Sequence, residues 1–263
     1  MRRIKTVSWF SAGVSSAVAT KLIIDEIDEI IYTHIDDQHE DTMRFVKDCE
    51  AWFGKPVTIL QSHHKSVSNA LYSAAAVRFP KGAPCTSRLK QNVRKDWERD
   101  NEEYDFVYVW GMDIEETKPR PPKGLSRVDA LRISMPEPRY QHRFPLVEAS
   151  LTKSEAHEAL KGAGIKRPAM YDLGYLNNNC IGCVKGARGY WNKIRVDFPE
   201  VFAARARMER EIGGSILKTH AKKGEKSKPL FLDELDPNAG RNEKPICDDC
   251  GIMCELFGSE ENN

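Results

Sequence analysis

The chain has 263 residues and sets 40 lysines and arginines against 39 aspartates and glutamates, a net charge of +1. Bulk charge therefore nominates neither nucleic acid nor an anionic membrane as a partner and leaves that role to local basic patches. The length suits one main domain with an appended subdomain, since a single core serves up to roughly 250 residues. The longest apolar runs, such as residues 106–110, are far too short to span a bilayer. Arg2 and Arg3 lead into a strand-length run broken at Ser11 rather than a secretory core. A cytoplasmic protein with no membrane partner is expected. Its seven cysteines, Cys49, Cys85, Cys180, Cys183, Cys247, Cys250 and Cys254, then suit metal or redox chemistry better than disulfides.

In chain order, residues 4–10 have strand character, and residues 14–27 carry Val14, Ala17, Val18, Leu22 and Ile23 at helical spacing. Strand-like runs recur at 30–35, 57–60 and 106–110, with helical patterns at 42–53, 66–77 and 86–99 between them. This alternation predicts an α/β fold with a doubly wound parallel sheet. Cys49 falls inside a helical pattern and is expected to pack in the core. From 112 to 143 the pattern gives way to a segment rich in arginine and proline, predicted to be a lid over the ligand rim of the sheet. Thr152, Lys153, Ser154 and Glu155 have capping-box spacing and open a helix that ends near Gly162 or Gly164. A further helix starts near Pro199 and stops at Gly213 and Gly214, with Val201 and Phe202 on its buried side. Residues 219–228 form a lysine-rich link, expected to be mobile, to a cysteine-bearing tail. The expected domains are 1–150, 151–215 and 216–263.

The turn after the first strand, Ser11, Ala12, Gly13, Val14, Ser15 and Ser16, is made of small residues at a helix start. Unpaired amides and the helix dipole favour an anion at such a place. Cys180 and Cys183 form one Cys-x-x-Cys pair, and Cys247 and Cys250 form another, with Cys254 beyond. Two such pairs suit a tetrahedral zinc site, and iron-sulfur clusters accept the same four thiolates. Asp36 and Asp37 close the second strand, where a carboxylate meets a ribose hydroxyl or Mg ion, or simply caps a turn. Tyr190 and Trp191, set among Lys185, Arg188, Lys193 and Arg195, suit inward packing on a helix better than base stacking.

Residues 11–16 resemble the pyrophosphate loop of the adenine nucleotide α-hydrolase superfamily, whose usual form is Ser-Gly-Gly-x-Asp-Ser. Pro84-Cys85-Thr86-Ser87-Arg88-Leu89-Lys90 is similar to the Cys-Cys-x-x-x-Lys signature of that superfamily's phosphoadenosine phosphosulfate reductase branch. Cys180-Ile181-Gly182-Cys183 falls where the branch places its Cys-x-x-Cys, and the block 171–191 looks like that of its small phage and bacterial members. The resemblance covers most of residues 1–210 and implies a five-stranded sheet with a C-terminal helical, cysteine-rich extension. Ser15 stands where many ATP-using members carry aspartate, and Thr86 replaces the second cysteine of the reductase pair.

The resemblance implies an adenine nucleotide (phosphoadenosine or adenosine phosphosulfate, or ATP) held by residues 11–16, Asp36, Gly111, Arg120 and Arg127, with Mg as a further ligand. Lys90 would polarise the sulfate and Cys250 or Cys254 would act as nucleophile. A 4Fe-4S cluster would draw ligands from Cys85, Cys180, Cys183 and one of Cys247, Cys250 and Cys254, with zinc as the alternative. The expected function is a phosphosulfate reductase served by a thiol reductant or sulfur donor. The alternatives are an ATP-dependent sulfurtransferase acting on a tRNA or DNA base through an adenylylated intermediate, and a nucleotide-sensing module with structural zinc. A homodimer is left open.

Overall fold

The computed structural model describes residues 2–79, 82–120, 124–219 and 226–240. The elements run β1 (Arg3–Trp9), α1 (Val14–Leu22), β2 (Glu29–His34), α2 (Asp41–Phe53), β3 (Val57–Gln61), α3 (Val67–Ala74), α4 (Pro84–Thr86), α5 (Asn92–Asp100) and β4 (Tyr104–Val109). They continue with α6 (Arg127–Ser134), β5 (Tyr140–Arg143), α7 (Pro145–Glu148), α8 (Lys153–Gly162), α9 (Ala169–Asp172), α10 (Arg188–Asp197), α11 (Pro199–Ile212), β6 (Leu217–Lys218) and β7 (Pro229–Leu230). A π turn, Ser87–Gln91, joins α4 to α5.

Two compact units result, and neither is contiguous in sequence. The first holds residues 1–34, 39–61 and 93–174, and the second holds 35–38, 62–92 and the chain from 175 onward. This interleaving departs from the expected succession of segments 1–150, 151–215 and 216–263.

The first unit carries a five-stranded, all-parallel sheet in the order β3-β2-β1-β4-β5, with Val7 of β1 opposite both Glu29 and Tyr108. Successive side chains of a strand point to opposite faces. Phe10, just past β1, accordingly joins Tyr32, Phe45, Phe53, Ala17 and Leu160 in one apolar layer. Trp9 lies edge-on to Trp97 of α5 at 5.7 Å and to Tyr108 at 6.0 Å. Apolar packing on both faces is what a parallel sheet requires. Cys49 is completely buried in the first of these layers, and burial pushes its thiol pKa up, as suits a packing residue.

Two local readings are corrected. The helix expected over 14–27 ends at Leu22, where Ile23 leaves helical geometry, and a 3-10 turn, Ile24–Glu26, follows. Adjacent β-branched residues weaken the helix there. The expected lid over 112–143 contains a 3-10 turn (Ile114–Thr117), helix α6 and the fifth strand. Ser126 caps α6 by accepting the Asp129 amide at 3.0 Å, and Val128, Ala130 and Leu131 are buried. The density of arginine concealed that apolar face, and β5 is a short, polar edge strand without an apolar signature.

In the second unit α3, the α4–π–α5 start, α10 and α11 surround the Cys180-Ile181-Gly182-Cys183 turn. Trp191 is fully buried there, so the aromatic pair of α10 packs inward as expected. On α11, Val201 and Phe202 are only half-buried, and the fully buried residues are Arg205, Ala206, Met208 and Glu209. Two charged residues occupy the inner face because each has internal partners. Thr219 donates its amide to Lys228 O at 2.8 Å beside the antiparallel β6–β7 pair.

Candidate functional site

In the sheet-bearing unit the strand order reverses between β1 and β4, because β1 leads to β2 on one side while β4 lies on the other. Ligands of open parallel sheets bind beyond the strand ends at such a switch point. Residues 11–16 leave β1 there and Gly111 follows β4. A Cβ on Gly111 would lie 2.5 Å from the Ser16 amide nitrogen and Cα, so only glycine lets this strand end lie against the loop. Ala12 takes left-handed backbone (φ 57°) and Gly13 is the N-cap of α1, which has no side-chain cap. The first-turn amides of a helix have no intrahelical acceptor.

Ser16 organises this turn. Its Oγ accepts from Ser11 N at 3.2 Å and from Ser11 Oγ at 2.9 Å, and donates to Gly13 O at 2.9 Å. Tyr171 Oη accepts the Val14 amide at 3.3 Å, and the Tyr171 ring meets His157 edge-on at 4.8 Å. Tyr171 reaches the loop across 157 residues of sequence, which no local pattern signals.

The predicted cations fall in two places. Arg120 pairs its backbone with Leu125 in a tight bridge of the sheet-bearing unit. Arg127 is buried and ion-paired with the equally buried Glu116, whose carboxylate also closes a capping box on Asp113. The Arg127 guanidinium, expected among the anion ligands, is thus held inside the fold by Glu116.

The second unit holds Asp36, Lys90, Cys85, Cys180 and Cys183. Lys90 sits in the π turn, a distortion of helices often found at functional positions. The Cys180–Cys183 turn is held by Asp37 and Tyr190, which the sequence offered for other roles, and by Arg205, which it did not single out. Asp37 O accepts the Ile181 amide at 2.8 Å, and Asp37 Oδ2 accepts the Val67 amide at 2.6 Å. Arg205 pairs with Asp37, both side chains being largely buried, and donates through Nε to Gly182 O at 3.4 Å. Gly182 adopts φ +70°, and a Cβ there would lie 2.7 Å from Val201. Tyr190 Oη accepts the Cys183 amide at 3.0 Å and donates to Cys180 O at 3.3 Å, so one hydroxyl spans the turn. Burial pushes the Tyr190 phenol well above its ordinary pKa.

Cys180 and Cys183 are buried and Cys85 is half-buried. Among the described residues no three His, Cys, Asp or Glu side chains come together as a metal-binding group. Cys247, Cys250 and Cys254 lie outside the described residues. No described helix is long and apolar enough to cross a membrane.

No protein-family model and no curated protein matches the chain. Among solved structures, the chain is similar to a crystal structure of phosphoadenylyl-sulfate (PAPS) reductase from Candida auris in complex with phosphate. The TM-score is 0.44 and the identity 10%, over 68% of this chain and 82% of that chain. A likeness of this degree is loose and assigns neither ligand nor reaction. The sheet order and the loop define the class: a doubly wound parallel α/β protein with a small-residue loop at its switch point.

Proposed function

We propose that the chain is an enzyme of sulfur metabolism of the phosphoadenosine or adenosine phosphosulfate reductase type, binding its adenine nucleotide at residues 11–16. One observation carries this reading: the first-turn amides of α1 stand at the β1/β4 switch point with Gly111 seated against Ser16. A dipole-aligned helix start and the Ser15 hydroxyl suit phosphate oxygens. The motif order of the sequence adds the sulfur chemistry.

In this reading the thiolate of Cys250 or Cys254 attacks the sulfur of the phosphosulfate. The sulfur–oxygen bond breaks, the nucleotide leaves with its phosphate oxygen, and a cysteine S-sulfonate forms. A thiol reductant then attacks the cysteine sulfur, which releases sulfite and leaves a disulfide. Lys90 and Arg120 are the cations assigned to the anionic oxygens. A thiolate-bound metal, iron-sulfur or zinc, would take two ligands from Cys180 and Cys183 and the remainder from Cys247, Cys250 and Cys254.

The test is calorimetric titration of the full chain with phosphoadenosine phosphosulfate and with ATP, followed by a sulfite-release assay with a dithiol. Binding of the phosphosulfate with sulfite release is expected. Failure to bind either nucleotide overturns the reading, and ATP turnover without sulfite transfers it to the sulfurtransferase alternative.

A further inference from the structure

A second concave site lies within the sheet-bearing unit, on α8 and the segment that follows it. This cavity of about 380 Å³ falls in the range of small-molecule pockets. Ile165 supplies its apolar surface over the buried Leu160, His157 one wall, and Lys161 and Lys166 its cations, with Glu158 the one carboxylate in the lining. The seventh lining residue, Arg167, is paired through Nε with Asp172 at 2.7 Å, so the lysines carry the surplus charge.

The walls are fixed by bonds elsewhere in the unit. Arg44 donates to Lys166 O at 2.9 Å and Arg167 O at 3.1 Å, and Asp41 Oδ2 accepts the Ala169 amide at 2.8 Å. Asp41 is itself held by Arg44, which keeps its pKa at about 2, so this clamp stays ionised throughout the neutral range. The turn between the walls closes through Gly164 N to Lys161 O at 2.9 Å. Burial, with Lys153 and Arg167 nearby, lowers the His157 pKa and favours a neutral ring, suited to packing on a flat apolar group. A pre-ordered cleft of this size, with one apolar wall and two lysines at its edge, is too small for a lipid chain.

We propose that this cavity is a second ligand site, distinct from the loop at residues 11–16, for a small anion with a flat apolar body, of the nucleoside monophosphate class. The body packs on Ile165 and His157, and the phosphate meets Lys161 and Lys166. Because His157 abuts Tyr171, whose hydroxyl holds the Val14 amide, an occupant would bear on the loop through two side chains.

The test follows the backbone amides and the His157 imidazole by NMR while adenosine 5′-monophosphate, and separately inorganic phosphate, is added to the full chain. Saturable shifts at His157 and residues 160–167 with the nucleotide, far weaker with phosphate, are expected. In the double variant Lys161→Glu and Lys166→Glu, affinity read at His157 should fall by about tenfold or more, with an unchanged melting temperature. Gly111→Ala, which perturbs the loop, should leave binding at His157 in place. Shifts confined to residues 11–16, no shift at all, equal response to phosphate, or an unaltered affinity in the lysine variant would each overturn the proposal.

Discussion

In the sheet-bearing unit the candidate site is main chain: amides of a helix start, one strained alanine, and a glycine that lets a neighbouring strand end approach. In the second unit the Cys180–Cys183 turn is bound by the Arg205 and Tyr190 side chains and by the main chain of Asp37, whose carboxylate pairs with Arg205. A backbone-built site depends on steric room, because its donors come with the fold. A side-chain-built site depends on keeping buried charge paired, because an uncompensated buried ion costs several kcal/mol.

That contrast breaks most readily at Asp37. Asp37→Ala strands the Arg205 guanidinium and is expected to destabilise the second unit by about 3–5 kcal/mol, measured by urea unfolding and by hydrogen exchange at residues 180–183. Replacing both partners by apolar residues should cost less than the single change. An equal or greater loss would show that the pair does more than satisfy itself.

Glu209 sharpens the same point through pH. It is fully buried, accepts the Ile216 and Leu232 amides, and burial raises its pKa from 4.5 to about 7. The folded state therefore binds more protons than the unfolded state between those values, so stability falls as pH rises through that window, by about 3 kcal/mol in all. Glu209→Gln should flatten this dependence when unfolding is followed from pH 5 to 8. A slope that persists in the variant would assign it to another group.

For the backbone site the expected change is in binding. Gly111→Ala places a methyl group against Ser16 and should weaken nucleotide affinity about a hundredfold, or about 2.7 kcal/mol. Wild-type affinity in a calorimetric titration would remove the loop from the binding site. The smallest effect is expected from Ser16→Ala, which removes the bonds to Ser11 and Gly13. A loss of about 1 kcal/mol in stability and a few-fold loss in affinity are expected, read from thermal melting and the same titration.

Much of this was legible in the residues. The strand runs at β1, β2, β3 and β4 and the helices between them carry periodic apolar patterns, and the Thr152 capping box marks α8 to within a residue. Gly111 was nominated by motif spacing, and its contact with Ser16 follows from β1 and β4 being neighbours. The fifth strand was hidden because Tyr140-Gln141-His142-Arg143 has no apolar alternation, and α6 because arginine masked its inner face.

The sequence by itself determined the parallel α/β class and the loop at the start of α1, since both rest on local periodicity and on residue size. Only the tertiary structure decided which charges are internal. Arg127 with Glu116 and Arg205 with Asp37 are basic and acidic residues like any others in the sequence, separated by 11 and 168 positions. Local pattern cannot report a partner so placed, because the free energy that buries these charges exists only once the chain has brought each pair together.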